Sequence, residues 1–260
     1  MPRDLRSRSG GTPLPLSGLP RSRTPLGRGA EDRSTPLEDV LGALDCSHET
    51  PRVPLPSPGR SRGPLRGAPA AIGIGVSTGG PEALTTLLSS FSVQLPVPLF
   101  IVQHMPVGFV DSLVGTLAEA APFPVHRADD EMEPVAGHAY LAPGGSHMFL
   151  AFSPTGAVLR LSQAPPEHHC RPAVDVLFRS LPDVYGSKVL AAVLTGMGSD
   201  GVDGARVIRE AGGACIAQDQ ASSRVFGMPK AVVDAGQADE VLGLDEIAPR
   251  LEALVRRGES

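Results

Sequence analysis

The chain has 260 residues, three cysteines, no tryptophan and a net charge of −5, and its length suits one sizeable α/β domain with an additional segment, or two small domains. Residues 1–70 hold 11 arginines and 7 acidic residues, whereas the remainder holds 12 basic and 21 acidic residues. This acidic main body argues against a nucleic-acid-binding core, which needs a clustered basic face.

Residues 1–69 form a tail rich in proline, arginine and serine. The tail contains 12 of the 27 prolines and no Phe, Ile or Tyr. Because so few bulky apolar groups cannot offset the entropy of ordering, we expect it to be disordered. Within it, "STPLEDVLGALDC" predicts a short helix over residues 36–45, with Thr35 and Glu38 as a capping box. This helix either docks on a partner or forms transiently without a role.

From Ala70 onward, strand and helix patterns alternate. In chain order they predict the strand "AIGIGV", the helix "PEALTTLLSSF", the strand "VPLFIVQ" and the helix "GFVDSLVGTLAEA". The runs "HAYLAP", "HMFLAF" and "AVLRLS" predict a small antiparallel excursion. The helix "AVDVLFRSL", the strand "KVLAAVLTG", the helix "GARVIREAG", the strand "ACIAQ", the helix "PKAVVDAG", a short "ADEVLG" and the helix "DEIAPRLEALVRR" follow. This order predicts an α/β domain over residues 70–257, with a doubly wound, mainly parallel, Rossmann-like sheet and a small antiparallel hairpin.

The distribution of apolar residues and cysteines indicates the cellular compartment in which the protein is expected. No run of about 18 apolar residues occurs, so the sequence predicts no membrane insertion. Cys46, Cys170 and Cys215 are odd in number and widely separated, which is typical of reduced thiols. We therefore expect a cytoplasmic protein.

Polar side chains follow three of the predicted buried strands. Ser77 comes after "AIGIGV", His104 after "VPLFIVQ", and Asp200 shortly after "KVLAAVLTG". Functional groups gather at the carboxyl ends of strands in an open parallel sheet. A hydroxyl, an imidazole and a carboxylate are the groups required for a serine nucleophile, its general base and the acid that orients the base. The sequence thus predicts a catalytic triad.

The segment around Ser77 supports this interpretation. Residues 75–79 match G-x-S-x-G, the tight strand-to-helix turn that exposes a nucleophilic oxygen. A dinucleotide fingerprint would need a glycine at position 78, which is threonine, and a phosphate loop would need a Gly-Lys pair, whereas the first lysine is Lys188. Helix capping by Ser77 is an alternative, but it does not account for the other two strand ends.

The order serine, histidine, acid differs from that of ordinary α/β-hydrolases, in which the acid precedes the histidine. To restore their order, Asp129 would have to pair with His138, and neither follows a long buried strand. The chemistry is that of a catalytic triad, but its order along the chain therefore points to another family.

Six segments resemble the catalytic domain of the chemotaxis protein-glutamate methylesterase (CheB) family: "IGIGVSTGGPEAL", "IVQHMPVGFVDSL", "HAYLAPGGSHM", "RPAVDVLFRSL", "VLTGMGSDGVDGA" and "AQDQASSRVFGMPKAV". By this resemblance Ser77 is the nucleophile, His104 the base and Asp200 its orienting acid. The backbone N–H of Met197 would bind the oxyanion, and Thr78 would be a hydrogen-bonding partner in the site. No metal or organic cofactor is implied.

The resemblance implies hydrolysis of glutamyl methyl esters on the helical cytoplasmic segments of chemoreceptors, and deamidation of receptor glutamines by some members. Well-known members carry a receiver domain in front of the esterase. The tail is too short for such a domain, so either a separate regulator acts in trans or the tail is only a linker. The alternative is a homologue that acts on another methyl-esterified protein or serves as an interaction module.

One histidine-rich segment could suggest a metal. "EHHCRP" places His168, His169 and Cys170 side by side, but three adjacent residues cannot close a tetrahedral site alone. We therefore expect this segment to be a loop near the active site, with no metal.

Overall fold

The computed structural model describes residues 67–257. The predicted disorder of the tail and its helix over residues 36–45 lie outside the described residues, apart from residues 67–69. The strands are β1 (Ala71–Val76), β2 (Leu99–Gln103), β3 (Val125–Arg127), β4 (Ala139–Leu141), β5 (His147–Ser153), β6 (Gly156–Ser162), β7 (Val189–Val193), β8 (Ala214–Gln218) and β9 (Glu240–Leu242). The helices are α1 (Gly80–Ser89), α2 (Val110–Ala120), α3 (Val174–Tyr185), α4 (Val202–Glu210), α5 (Met228–Asp234) and α6 (Leu244–Arg256).

Seven of these strands form one parallel sheet in the order β3-β4-β2-β1-β7-β8-β9. The strands β5 and β6 form a separate antiparallel hairpin. The predicted doubly wound α/β fold is confirmed. Strands β2 to β4 lie on one side of β1, and strands β7 to β9 lie on the other side. The direction in which strands are added therefore reverses at the centre of the sheet.

Alternate side chains of the central strands enter two different cores. On one face, Ile72 and Ile74 of β1 pack with leucines of α1, α2 and α6. On the other face, Phe100 and Val102 of β2 pack with apolar residues of α3, α4 and the hairpin. Strands buried on both faces carry near-continuous apolar runs, which is why "AIGIGV" and "LFIVQ" are recognisable in the sequence.

Two glycines of β1 allow α3 to approach the sheet closely. A Cβ atom on Gly73 would lie 2.7 Å from Leu181 Cδ1, and one on Gly75 would lie 2.4 Å from Val174 Cγ1. Any larger side chain would push α3 away from β1. The glycines therefore place the N-terminus of α3 near the carboxyl end of β1.

The structure differs from the sequence-based expectations at three places. "HAYLAP" was expected in the antiparallel excursion, but β4 pairs in parallel with β2 and β3, and the antiparallel pairing is confined to β5 and β6. The three-residue strand β3 was not predicted, because it is too short to show a period. Helix α3 continues past Leu181 through Pro182 to Tyr185. Among residues 67–257, no helix is long and apolar enough to span a membrane.

Candidate active site

The three predicted catalytic residues lie at neighbouring strand ends. The backbone N–H of Ser77 donates to the carbonyl of Thr195, which follows β7, at 3.0 Å, and the N–H of His104 donates to the carbonyl of Val76 at 3.1 Å. These bonds extend the parallel pairing one residue beyond the strands. They tie the segments that carry the hydroxyl, the imidazole and the carboxylate to one edge of the sheet.

The turn after Ser77 is fixed by a buried glutamine. Gln103 Nε2 donates to the carbonyl oxygens of Ser77 and His104, at 3.0 and 2.8 Å. A Cβ atom on Gly80 would lie 1.7 Å from Gln103 Oε1, so the helix can begin there only with glycine. Gly79, the residue before α1, has a φ of 79°, a left-handed conformation that favours glycine. The two glycines after Ser77 thus meet two different steric requirements.

His104 and Asp200 form a buried pair. His104 Nε2 lies 2.8 Å from Asp200 Oδ2, and the two residues are 4% and 2% exposed. Because a carboxylate only accepts hydrogen bonds, Nε2 carries the proton in the neutral imidazole. The opposite nitrogen, Nδ1, is buried without a hydrogen-bond partner among the described residues. A lone pair on His104 Nδ1 is therefore available to take a proton.

The N-terminus of α3 holds the Asp200 carboxylate. Val174 N donates to Oδ2 at 2.6 Å and Asp175 N donates to Oδ1 at 2.8 Å. Burial by itself raises the pKa of Asp200, but the hydrogen bond and charge of His104 and these backbone donors outweigh it and hold the pKa below its ordinary value. Asp200 is thus kept ionised beside the imidazole.

Two backbone donors near Ser77 are unengaged among the described residues, one from Thr78, the next residue in the chain, and one from Met197 in the loop after β7. A Cβ atom on Gly196 would lie 2.8 Å from Ser77 Cβ, so the loop runs directly against the serine. The carbonyl of Gly196 accepts from Gly227 N and Met228 N, at 3.0 and 2.8 Å. Within residues 67–257, the N–H groups of Met197 and Thr78 have no hydrogen-bond acceptor. Thr78 is also anchored, since its carbonyl accepts from Thr195 Oγ1 at 2.9 Å.

A cleft of about 240 Å³ opens beside His104. Gly145 and the segment 166–172 contribute to its walls, and the lining residues include Met105, Val107, His169, Cys170 and Arg171. Two large apolar residues of the neighbouring loops are exposed, Val107 at 72% and Met197 at 41%. The cleft is therefore open to a partner with both apolar and polar groups.

The serine hydroxyl itself makes no hydrogen bond within the described part of the chain. Ser77 is half-buried, whereas His104 and Asp200 are buried. The structure thus joins His104 to Asp200 directly and brings Ser77 to the same edge of the sheet without a Ser77–His104 bond. The alternative pairing of Asp129 with His138 is not formed, because Asp129 pairs with Arg127 at 3.4 Å and His138 Nδ1 with His126 Nε2 at 3.0 Å.

A second acid and imidazole lie behind Asp200. Asp175 is fully buried, and its Oδ2 accepts from His168 Nε2 at 2.9 Å while its Oδ1 accepts from Gly204 N at 2.6 Å. Sequence reasoning missed Asp175, although a carboxylate among the apolar residues of "AVDVLF" is a signal of a buried, partnered acid. It also treated His168 only as a potential metal ligand.

One atom each of His168, Asp175 and Asp200 lies within 4.8 Å of the others, a spacing that a metal ion could bridge. The carboxylate oxygens of both aspartates already accept hydrogen bonds from His104, His168 and three backbone N–H groups. A metal ion would have to compete with these donors for the carboxylate oxygens. We therefore interpret the group as a hydrogen-bond network.

A match to a family model shows to which protein family the chain belongs. The family model described as CheB methylesterase matches residues 72–251. The chain belongs to the CheB methylesterase family. The matched region contains all seven strands of the parallel sheet except the first residue of β1, together with the hairpin and every residue of the candidate site.

Curated relatives carry one name, protein-glutamate methylesterase/protein-glutamine glutaminase. The relative from Trichodesmium erythraeum is 47% identical over 186 residues, which cover 72% of this chain and 52% of that protein. The relative from Nitrobacter hamburgensis is 50% identical over 188 residues, covering 72% of this chain and 49% of that protein. The chain thus spans about half the length of the curated relatives it matches.

A solved structure shows the same fold. The crystal structure of the Thermotoga maritima CheB methylesterase catalytic domain is 38% identical, covers 72% of this chain and 100% of that chain, and superposes with a TM-score of 0.70. The parallel sheet and the antiparallel hairpin are therefore those of a CheB methylesterase catalytic domain.

Proposed function

We propose that this protein is a serine hydrolase that removes methyl groups from glutamyl methyl esters, with Ser77, His104 and Asp200 as its catalytic triad. The observation that carries the proposal is the buried His104–Asp200 pair, which leaves Nδ1 of the imidazole unpartnered at the strand edge that bears Ser77. Membership of the CheB methylesterase family indicates that the bond cleaved is a methyl ester, and the name of the relatives indicates that the ester is on a glutamate side chain.

The first half of the reaction forms an acyl-enzyme. Ser77 Oγ attacks the side-chain carbonyl carbon of the glutamyl ester while His104 Nδ1 takes the hydroxyl proton. The carbonyl oxygen of the ester becomes an oxyanion, and the imidazolium is stabilised by the ionised Asp200. When the tetrahedral intermediate collapses, the C–O bond to the methoxy group breaks, His104 returns the proton, and methanol leaves.

The second half releases the glutamate. His104 Nδ1 takes a proton from a water molecule, whose oxygen attacks the acyl carbon. Collapse of this intermediate breaks the bond to Ser77 Oγ, which regains its proton from His104. The same sequence with glutamine releases ammonia, in agreement with the second half of the relatives' name.

Backbone N–H groups would stabilise the oxyanion. The Met197 N–H is the donor that we assign, because it lies in the loop packed against Ser77 and has no acceptor among the described residues. Thr78 is the supporting residue, with its unengaged N–H beside the nucleophile. A preorganised donor of this kind contributes about 3–4 kcal/mol to stabilisation of the transition state.

The substrate that we propose is the methylated cytoplasmic helix of a chemoreceptor, and we place the reaction in the cytoplasm. The deciding experiment measures methanol release from methyl-esterified receptor fragments by the full chain. We expect one methanol for each new carboxylate, and ammonia when a glutamine occupies the site. A folded chain that releases neither product would overturn the proposal.

A further inference from the structure

The turn that carries His168 has an unusual backbone for its residues. Glu167 and Cys170 pair through two backbone hydrogen bonds, of 3.1 and 2.8 Å, and the two residues between them have φ of 49° and 61°. A two-residue turn with positive φ at both positions normally takes Asn-Gly or Gly-Gly. Here it takes His168 and His169. Such disfavoured conformations persist where the surroundings hold them, and they often mark a functional requirement for the side chain.

The two histidines of this turn border different parts of the site. His169 lines the cleft beside His104. His168 points inward, where Nε2 donates to the buried Asp175 Oδ2 at 2.9 Å, and its side chain is 29% exposed against 1% for that of Asp175. Because Asp175 donates its backbone N–H to Asp200, a short chain of hydrogen bonds leads from the cleft wall to the acid that orients His104.

The charges around His168 favour its protonated form. Asp175 of α3, Asp200 of the β7–α4 segment and Asp203 of α4 act on it, and the adjacent Glu167 pairs with Arg179 at 2.7 Å. The hydrogen bond to Asp175 is the main cause that raises the pKa of His168 above its ordinary value. Burial is the main cause that raises the pKa of Asp175 above its ordinary value, and the charge of Asp200 adds to it, whereas the hydrogen bond with His168 acts in the opposite direction and favours the charged carboxylate.

We infer that His168 is a positioning residue: as an imidazolium bound to Asp175, it holds the turn of residues 167–170, and with it one wall of the cleft, in place relative to Asp200. The inference rests on the proposed function, since the cleft is taken to receive the substrate. A raised pKa means that the imidazolium is fully formed below the ordinary value of 6.5 and is lost as the pH rises through the folded value. The contact between His168 and Asp175 that holds the turn of residues 167–170 weakens in the same pH range.

The test measures KM and kcat for a methyl-esterified receptor fragment against pH. For the natural chain we expect KM to rise about five- to tenfold as His168 loses its proton, with kcat changing less than about twofold. His168→Asn suits the turn better than histidine but lacks the cation, so we expect a high, pH-independent KM. Asp175→Asn removes the carboxylate that raises the pKa of His168, so the rise in KM should move to lower pH. An unchanged KM profile in His168→Asn, or a lower KM at every pH, would overturn the inference.

The control is His126→Gln, which removes a histidine on the edge strand β3 and should leave the KM profile unchanged. Proton NMR of the imidazoles gives a readout that does not depend on activity. The resonance missing in His168→Asn identifies His168, and we expect it to titrate above the ordinary value of 6.5 in the natural chain and lower in Asp175→Asn. Titration of His168 at its ordinary value in both the natural chain and Asp175→Asn would contradict the His168–Asp175 pair. A chain that releases no product at any pH contradicts the proposed function instead, and the NMR titration still decides the pair.

Discussion

Gly196 lies directly against Ser77. A methyl group on Gly196 would be 2.8 Å from Ser77 Cβ and 3.1 Å from Ser77 N, both closer than ordinary contact. It would also lie 2.5 Å from Met228 Sδ, which can move. We therefore expect Gly196→Ala to displace the serine from the Met197 N–H. Because a misplacement of about 1 Å can cost about a hundredfold in rate, kcat for methanol release should fall by about that factor.

The matched control for Gly196→Ala is Gly115→Ala. Gly115 lies in α2 and a Cβ atom there would meet nothing within 4 Å. Alanine favours the helix by about 0.5–1 kcal/mol, so we expect unchanged kcat and a slightly higher midpoint of unfolding. Equal kcat values in the two variants would show that the contact between Gly196 and Ser77 has no bearing on turnover.

Ser77→Ala separates chemistry from folding. Since Ser77 Oγ makes no hydrogen bond within residues 67–257, its removal should leave the free energy of unfolding within about 0.5 kcal/mol of the natural value. Methanol release should fall by at least about a thousandfold, because no nucleophile remains. Steady-state methanol assays and urea unfolding give the two quantities, with the exposed Ser112→Ala as the control. A folded Ser77→Ala protein with near-normal turnover would contradict the triad.

Asp200→Asn should impair catalysis strongly. Asparagine keeps the size of the side chain but cannot stabilise the imidazolium of His104, and its amide group must face donors that now bond to the carboxylate. We expect kcat to fall by about 10³–10⁴. Asp203→Asn is the control, because the Asp203 side chain is 61% exposed and its ion pair with Arg206 is 3.7 Å long. Similar losses in both variants would refute a special role for Asp200.

The stability conferred by Asp200 should depend on pH in a defined direction. Its pKa is below the ordinary value of 3.8, so its contribution is fully present above that value and is lost as the pH falls through the folded pKa. Asp200→Asn should therefore lower the free energy of unfolding by about 1–3 kcal/mol near pH 7. The difference between the two proteins should shrink in acid. Urea titrations across this range measure it, and a difference that grows in acid would contradict the assigned charge state.

Cys215 should be inert in the folded protein. Its side chain is fully buried in strand β8, and burial is the main cause that raises the pKa of the thiol to about 12. Because the thiolate is the reactive form, iodoacetamide near pH 8 should not alkylate it until the protein unfolds. Peptide mass mapping before and after denaturation checks this. Modification of Cys215 at the rate of an exposed thiol would show that β8 opens.

The sequence by itself determined the fold class and predicted the chemistry that we propose for the site. Strands such as "AIGIGV" are buried on both faces, so their continuous apolar composition is visible without any tertiary information. Because parallel strands expose functional groups at one edge, Ser77, His104 and Asp200 could be selected from their positions after these strands. The candidate triad therefore needed only local patterns and their order.

Only the tertiary structure decided how these groups are held. The placement of β4 in the parallel sheet depends on a neighbour, β2, that lies far away in sequence, and three residues carry no period that could reveal it. The partners of Asp200 come from α3, and the approach of α3 depends on the absence of side chains at Gly73 and Gly75. The role of His168 depends on a turn that points its imidazole at Asp175. Hydrogen bonds between distant segments follow from the packing of the elements, and local sequence does not encode that packing.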